Sequence, residues 1–429
     1  MTLIITIAIL LSIAIGYKTK INIGLFAIVF AYFIGAYGLD MSAAQVVDSW
    51  PIRIFFIIFA VTLFYNVAMV NGALEKLASH LLYACRNFPI LLPLAIFISA
   101  TIIAALGAGF YTVLAFMAPM TLLLCQKTGM SKIIGGMAVN YGALAGANFM
   151  TSQSGVIFRG IMEGVGVGPD QAFANSTAIF VATFLIPIVV IGGYLFFNHK
   201  KLDIQITAEK PEPFEPKQKQ SIMLIITLMA IVLVIPLLNL IFPGNETISF
   251  VNSKVDIGFM ALIFAVTSLL LKLADERKVV ALVPWGTLIM ICGVGMLIEV
   301  AIQAGVIDVL SDWVSANIPY LVIPLAMCVI GACMSLFAST LGVVTPALFP
   351  IVPAIAAATG YHPVVLFVCI VVGAQASAIS PFSSGGSLIL GATPQGIDRS
   401  DLFDDLLFRA VPIGFLAALA ATLIVQGVL

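Results

Sequence analysis

Two polar stretches stand where uninterrupted apolar sequence is expected. Gly373 to Gly386 reads Gly-Ala-Gln-Ala-Ser-Ala-Ile-Ser-Pro-Phe-Ser-Ser-Gly-Gly, and Gly142 to Gly155 reads Gly-Ala-Leu-Ala-Gly-Ala-Asn-Phe-Met-Thr-Ser-Gln-Ser-Gly. A chain in hydrocarbon must satisfy its backbone polar groups internally, so this density of hydroxyls, glycines and a proline predicts helices that break where they line a cavity. A break exposes the carbonyl end of one half-helix and the amide end of the next. Carbonyls joined by Ser, Thr and Asn oxygens suit a partly dehydrated Na⁺, and free amides at a positive dipole end suit a carboxylate. The candidate substrate-binding residues are therefore Asn148, Thr151, Ser152 and Ser154 in one stretch and Ser377, Ser380, Ser383 and Ser384 in the other. Ser339 and Thr340 join them from a further polar interruption at Ser335 to Gly342. A lone serine in such a helix more often bonds its own i−4 carbonyl, so the clusters carry the reading rather than any one member.

The elements that must hold these residues are membrane helices. The 429 residues are 62% hydrophobic and 9% charged, with a mean hydropathy of +1.16, a composition foreign to water-soluble domains. The expected fold class is an all-α polytopic membrane protein. Apolar runs of crossing length lie near 3–17, 22–39, 51–70, 131–160, 174–197, 221–242, 256–271, 284–302, 363–391 and 409–429, which makes ten crossings. Residues 2–16 lack a basic flank before them and a small-residue cleavage site after them, so they read as a retained helix and not a signal peptide. Two further apolar runs are interrupted, Pro89 to Gln126 at Leu106-Gly-Ala-Gly109 and Pro319 to Thr359 around Ala338 to Gly342. Each is two crossings or a re-entrant hairpin. An amphipathic stretch precedes each: Leu74, Leu77, Ala78, Leu81, Leu82 and Cys85 in one case, Val306, Leu310, Trp313, Val314 and Asn317 in the other. These suit helices lying in the interface.

The halves repeat one another. Lys20-Ile-Asn-Ile-Gly24 matches Lys254-Val-Asp-Ile-Gly258, Pro51 and Gly72 match Pro284 and Gly305, and Pro93 to Gly160 matches Pro324 to Gly391 at a constant offset of 231. Five crossings plus a hairpin per half invert the second copy, so the domain reading is two inverted repeats, residues 1–197 and 221–429, joined by a cytoplasmic linker at 198–220. Every Lys and Arg except Arg53, Arg159 and Lys254 falls on one side of this arrangement. Because cytoplasmic loops collect basic residues, both termini are expected outside.

Charges within spans are few. Glu299 is a candidate proton carrier or a residue reaching the interface, and Arg159 a candidate anion attractor or a snorkelling side chain. His80, His199 and His362 sit at predicted membrane edges, and the six cysteines lie in apolar runs without metal-ligand spacing. Neither a nucleophile beside a base nor a catalytic metal cluster is visible in the spans. An enzyme is therefore not expected, and no cofactor is implied.

The runs Lys20 to Ile28, Leu63-Phe-Tyr-Asn66 with Asn71-Gly72, Ala105 to Phe110 and Asn140 to Gly155 resemble the malonate/dicarboxylate carrier (MatC-like) family. Ser377 to Gly386 resembles the wider ion transporter superfamily that includes the divalent anion sodium symporters. The resemblance implies a homodimer with scaffold and transport domains, two inverted repeats, and elevator-type alternating access, in a cell (inner) membrane of bacterial type. One departure matters. Where the symporters carry Ser-Asn-Thr at each hairpin tip, this chain has Gly109-Phe110-Tyr111 and Thr340-Leu341-Gly342. The substitute ion-binding candidates are Asn148 and the backbone near Gly107, Ala108 and Ala378. The reading that follows is a secondary transporter of a small dicarboxylate such as malonate or a C4 acid, coupled to Na⁺. The alternatives are another small anion, proton coupling through Glu299, or an anion channel.

Overall fold

The structure, a computed structural model, describes residues 2–19, 21–84, 91–198, 211–242, 245–306, 309, 317–336, 339–394 and 397–428. Among these the fold is all-helical, without a strand. The first half comprises α1 (Thr2–Thr19), α2 (Ile23–Gly38), the short α3 (Ala43–Asp48), α4 (Ile52–Val70), α5 (Ala73–Ala84), α6 (Leu92–Ile103), α7 (Gly109–Thr128), α8 (Lys132–Ala147), α9 (Gln153–Gly164) and α10 (Pro169–Asn198). The second comprises α11 (Pro216–Ile241), α12 (Glu246–Lys254), α13 (Ile257–Leu270), α14 (Glu276–Ala281), α15 (Trp285–Gln303), α16 (Ile323–Ser335), α17 (Thr340–Thr359), α18 (Pro363–Ser377), α19 (Ser384–Gly391) and α20 (Arg399–Gly427).

Among the described residues seven helical stretches have the length and composition to cross a membrane, or eight if the bent pair α12–α13, inclined at 69°, is one span; two of the seven, 92–115 and Thr340–Thr359, belong to the interrupted runs, whereas the expected crossings 3–17 and 22–39 are not among them. The expected crossings 131–160 and 363–391 are each divided into two shorter helices, because the polar stretches do break them. The linker expected over 198–220 is shorter than that. Pro216 already starts α11, Glu215 and Gln218 form its capping box, and Gln218 is buried, donating to the Asn71 carbonyl at 3.0 Å. Residues 199–210 of that linker, together with His199, Cys85, Arg86, Ala338 and the second amphipathic stretch at 307–308 and 310–316, lie outside the described residues. The first amphipathic stretch forms α5, against which His80 stacks on Phe214 and Lys76 donates to the Pro213 carbonyl.

Matched sequence signals have matched conformations in the two halves. Asn22 and Asp256 cap α2 and α13 by accepting from backbone amides, and Pro51 and Pro284 enter α4 and α15 with φ/ψ of −75°/70° and −76°/65°. The turns after α7 and α17 are made by Gly129 and Gly360 at φ of 70° and 78°. Close approaches repeat too. A Cβ on Gly142 would meet the Phe97 carbonyl oxygen, and one on Gly373, 231 positions on, would meet that of Cys328.

Gly146 likewise lies on the Thr101 carbonyl, so α6 and α8 run in step, whereas α7 enters α8 through a tight turn and runs against it. Helices α6 and α7 are therefore antiparallel arms with a tip at 104–109. The reversal needs Gly107 at φ 100°, pressed on the Tyr65 ring.

A separate layer crosses α2 with α15 and α4 with α13. Membrane helices gain little from burying apolar surface against one another, so small residues that let backbones approach dominate such crossings. Gly24 and Gly293 meet backbone to backbone, with a Cβ on Gly293 falling 2.8 Å from the Gly24 Cα. At the rim, only 28% of the α10, α11 and α20 apolar windows is buried, against 72% for α17, so these three face outward. Gly293→Val should cost about 1–3 kcal/mol by overpacking and lower the unfolding temperature in detergent by several degrees. Gly192→Ala, where nothing lies within 4 Å, should leave it unchanged.

Candidate functional site

The breaks are local consequences of serine and glycine. After α8 the chain turns through 148–152, and after α18 through 378–383. Ser152 and Ser383 stand before the second half-helices with ψ of 172° and 167°, and neither side chain caps its helix. Ser152 Oγ instead donates to the Ala104 carbonyl at 2.6 Å, and Ser383 Oγ to those of Ala378 (2.5 Å) and Ser380 (2.8 Å). The first-turn amides of α9 and α19 are thus left without a side-chain cap. Three positions into each lies a glycine, Gly155 or Gly386, on which any Cβ would strike the carbonyls of Asn148 and Phe149 or of Ile379 and Ser380. Larger residues cannot make this turn.

Both breaks and both interrupted segments meet at one cavity. It is lined by Phe110 and Tyr111 from the first tip, Ser335, Ser339, Thr340 and Leu341 from the second, Leu144 and Ser154 from the first break, and Gln375, Ala378, Ser383, Ser384 and Gly385 from the second. Tyr111 and Ser339 hydroxyls bond across the tips at 3.2 Å, and Ser335 bonds Thr340 at 3.0 Å. The hydroxyls of Ser154 and Ser384 have no hydrogen-bond partner among the described residues, so they remain available to a ligand.

Five of the ten substrate candidates, Ser154, Ser339, Thr340, Ser383 and Ser384, therefore share this cavity, as does Ala378 from the ion candidates. The others are placed differently. Asn148 is fully buried, and its carboxamide exchanges two 3.0 Å hydrogen bonds with that of Gln375 while also donating to Thr183 Oγ1 at 3.0 Å. Thr151 is buried, its carbonyl accepting from the Tyr65 hydroxyl at 3.2 Å. Ser152 and Ser380 are fully buried, Ser380 Oγ accepting from the Phe382 amide, and Ser377 is buried on the last turn of α18. Gly107 and Ala108 shape the first tip without lining the cavity.

The charged candidates resolve into pairs. Arg159 lies 5.2 Å above the Phe173 ring and 3.9 Å from Glu163, whose carboxylate is held at 2.9 Å by Arg53 of α4. Glu299 accepts from Gln303 at 3.4 Å and lines a second, larger cavity with Asp48, Arg53 and Glu163. Gln375, Tyr141, Tyr111, Asn140 and Glu163 are not among the candidates read from the sequence. A polar residue deep in an apolar helix was the available signal for Gln375 and Asn140, but nothing in one dimension indicates which helix it faces.

The carboxamide pair gives a direct test. Asn148→Leu should destabilise by about 1–3 kcal/mol, because it leaves a buried Gln375 amide unpaired. Adding Gln375→Leu should recover part of that loss in a double-mutant cycle of thermal unfolding.

Residues 1–147 match the family described as "Dicarboxylate carrier protein MatC N-terminus", in agreement with the resemblance of the N-terminal motifs. No curated protein matches the chain in sequence. Among solved structures the chain is similar to the YdaH transporter of Alcanivorax borkumensis, with a TM-score of 0.59 and 17% identity over 92% of this chain and 90% of that one. It is also similar to MtrF of Neisseria gonorrhoeae, described within a class of antimetabolite efflux pumps, with a TM-score of 0.51 and 15% identity over 91% and 85%. At such identities the likeness shows the fold alone. The family and the folds are those of transporters, not enzymes.

Proposed function

We propose that this chain, with a dicarboxylate-carrier N-terminal part on a transporter fold, is a secondary active transporter of small dicarboxylates, malonate or a C4 acid, coupled to Na⁺. The observation that carries the reading is the single cavity onto which two uncapped helix N-termini open. Two positive dipole ends with free amides match an anion charged at both ends. The serine hydroxyls around them add hydrogen bonds without adding fixed charge.

The two halves are inverted repeats, each with a re-entrant hairpin whose tip stops at the cavity. Equal offsets in caps, turns and close glycine contacts support this. The chain works as a homodimer in a cell (inner) membrane, with the linker in the cytoplasm, as the distribution of Lys and Arg suggests. Alternating access is of the elevator type: the hairpins, breaks and cavity move as one body along the crossed layer of α2, α4, α13 and α15. A second reading, proton coupling through Glu299, is favoured by the place of that carboxylate in the larger cavity beside Arg53 and Glu163.

Purified protein in proteoliposomes should accumulate labelled malonate or succinate against its gradient when an inward Na⁺ gradient is imposed. Accumulation that follows pH and ignores sodium moves coupling to Glu299, and uptake that never exceeds equilibrium indicates a channel. Gly385→Leu should abolish uptake, because a Cβ there already meets the Ala378 carbonyl, and Ser384→Ala should raise KM severalfold.

A further inference from the structure

Asn140 stands two turns before the first break in a helix otherwise built from glycine, alanine and apolar residues. Its side chain is fully buried, and neither Oδ1 nor Nδ2 has a hydrogen-bond partner among the described residues. Native proteins rarely leave a buried carboxamide unpaired, because desolvation is then uncompensated. A partner from outside the polypeptide is implied.

The surroundings indicate which partner. Asn140 Oδ1 lies 2.6 Å from the point where a Cβ on Gly385 would stand, and the Ala378 carbonyl oxygen crowds the same point, with Phe110 Cζ at 3.0 Å. Gly385, Ala378 and Phe110 all line the central cavity. Two oxygens from different halves of the chain therefore approach the same glycine of its wall, Asn140 Oδ1 from behind the lining and the Ala378 carbonyl oxygen with one lone pair already given to Ser383 Oγ. The carbonyls of Ile379 and Ser380 crowd the next glycine, so the turn after α18 presents several oxygens in succession. Carbonyl ends of broken membrane helices, joined by side-chain oxygens, replace the hydration shell of small cations.

We propose that Asn140 Oδ1 and the Ala378 carbonyl oxygen hold the coupling Na⁺ beside the substrate cavity, an assignment that rests on the sodium-coupled reading above. Asn148, the carboxamide expected from the sequence to do this, is saturated by Gln375 and Thr183. The position equivalent to Asn140 in the second half is the buried Val371, so this ligand pair has no twin. Nδ2, equally unpartnered, is a donor that a bound carboxylate can take up. One carboxamide then answers to both ion and anion.

The full-length protein is unfolded thermally in detergent while NaCl replaces choline chloride at constant ionic strength, without substrate, and uptake in proteoliposomes is measured against external sodium. Asn140→Leu removes an unpaired buried amide, so in the absence of sodium it should unfold at or above the wild-type temperature. Its half-saturating sodium should rise about tenfold or more in both measurements. Asn140→Asp keeps the oxygen and adds charge, and should lower the half-saturating sodium severalfold. A wild type that responds to sodium alongside an Asn140→Leu that responds equally overturns this assignment alone, as expected if a buried water is the missing partner. An unchanged half-saturation in Asn140→Asp overturns it as well, even where Asn140→Leu fails to fold. A wild type indifferent to sodium in both measurements overturns the assignment and sodium coupling together.

Discussion

The exchange of two hydrogen bonds between Asn148 and Gln375 is the contact on which the central arrangement depends. Each residue belongs to a helix that stops in the middle of the protein, and the two helices come from opposite halves of the chain. Away from water an unmade amide bond is costly, so this pair holds the breaks at one relative position. Thr183 and the Tyr141 hydroxyl, which donates to the Ala376 carbonyl at 2.8 Å, extend the same tie to α10 and α18. With the breaks fixed, the N-termini of α9 and α19 have no freedom to face anything but a common cavity.

The breaks also consume their own polar groups in an orderly way. Ser152 and Ser383 turn their hydroxyls back onto carbonyls, which stabilises the bend and withholds those hydroxyls from capping. The amides beyond them stay unsatisfied by side chains, as the proposed anion site requires. Stability of the bend and availability of the binding groups therefore come from the same two serines.

The bundle around the cavity touches the crossed layer through few directional bonds. Among the described residues Tyr65 reaches the Thr151 carbonyl and Arg53 reaches Glu163, while Gly107 lies under the Tyr65 ring and Gly342 against Met290. Contacts of that kind constrain distance more than position along the surface. The larger cavity lined by Arg53, Glu163 and Glu299 lies along the same boundary.

Much of the fold was legible in one dimension because bilayer length, helix caps and glycine turns are local. The membrane class, the two breaks, the interrupted segments and the matched signals at Asn22 and Asp256 or Gly129 and Gly360 all follow from neighbouring residues. The boundaries that failed, such as the start of α11 at Pro216, depend on a distant partner, here Asn71. The site was legible as clusters and illegible as individuals. Sequence alone determined that polar breaks would be rich in Ser, Thr and Asn. Only the tertiary structure decided that Ser154, Ser339 and Ser384 face the cavity while Ser152, Ser380 and Asn148 are spent on the protein itself. The physical reason is that a hydroxyl or an amide serves a ligand only when no nearer donor or acceptor of the folded chain has already taken it, and those neighbours lie far away in sequence.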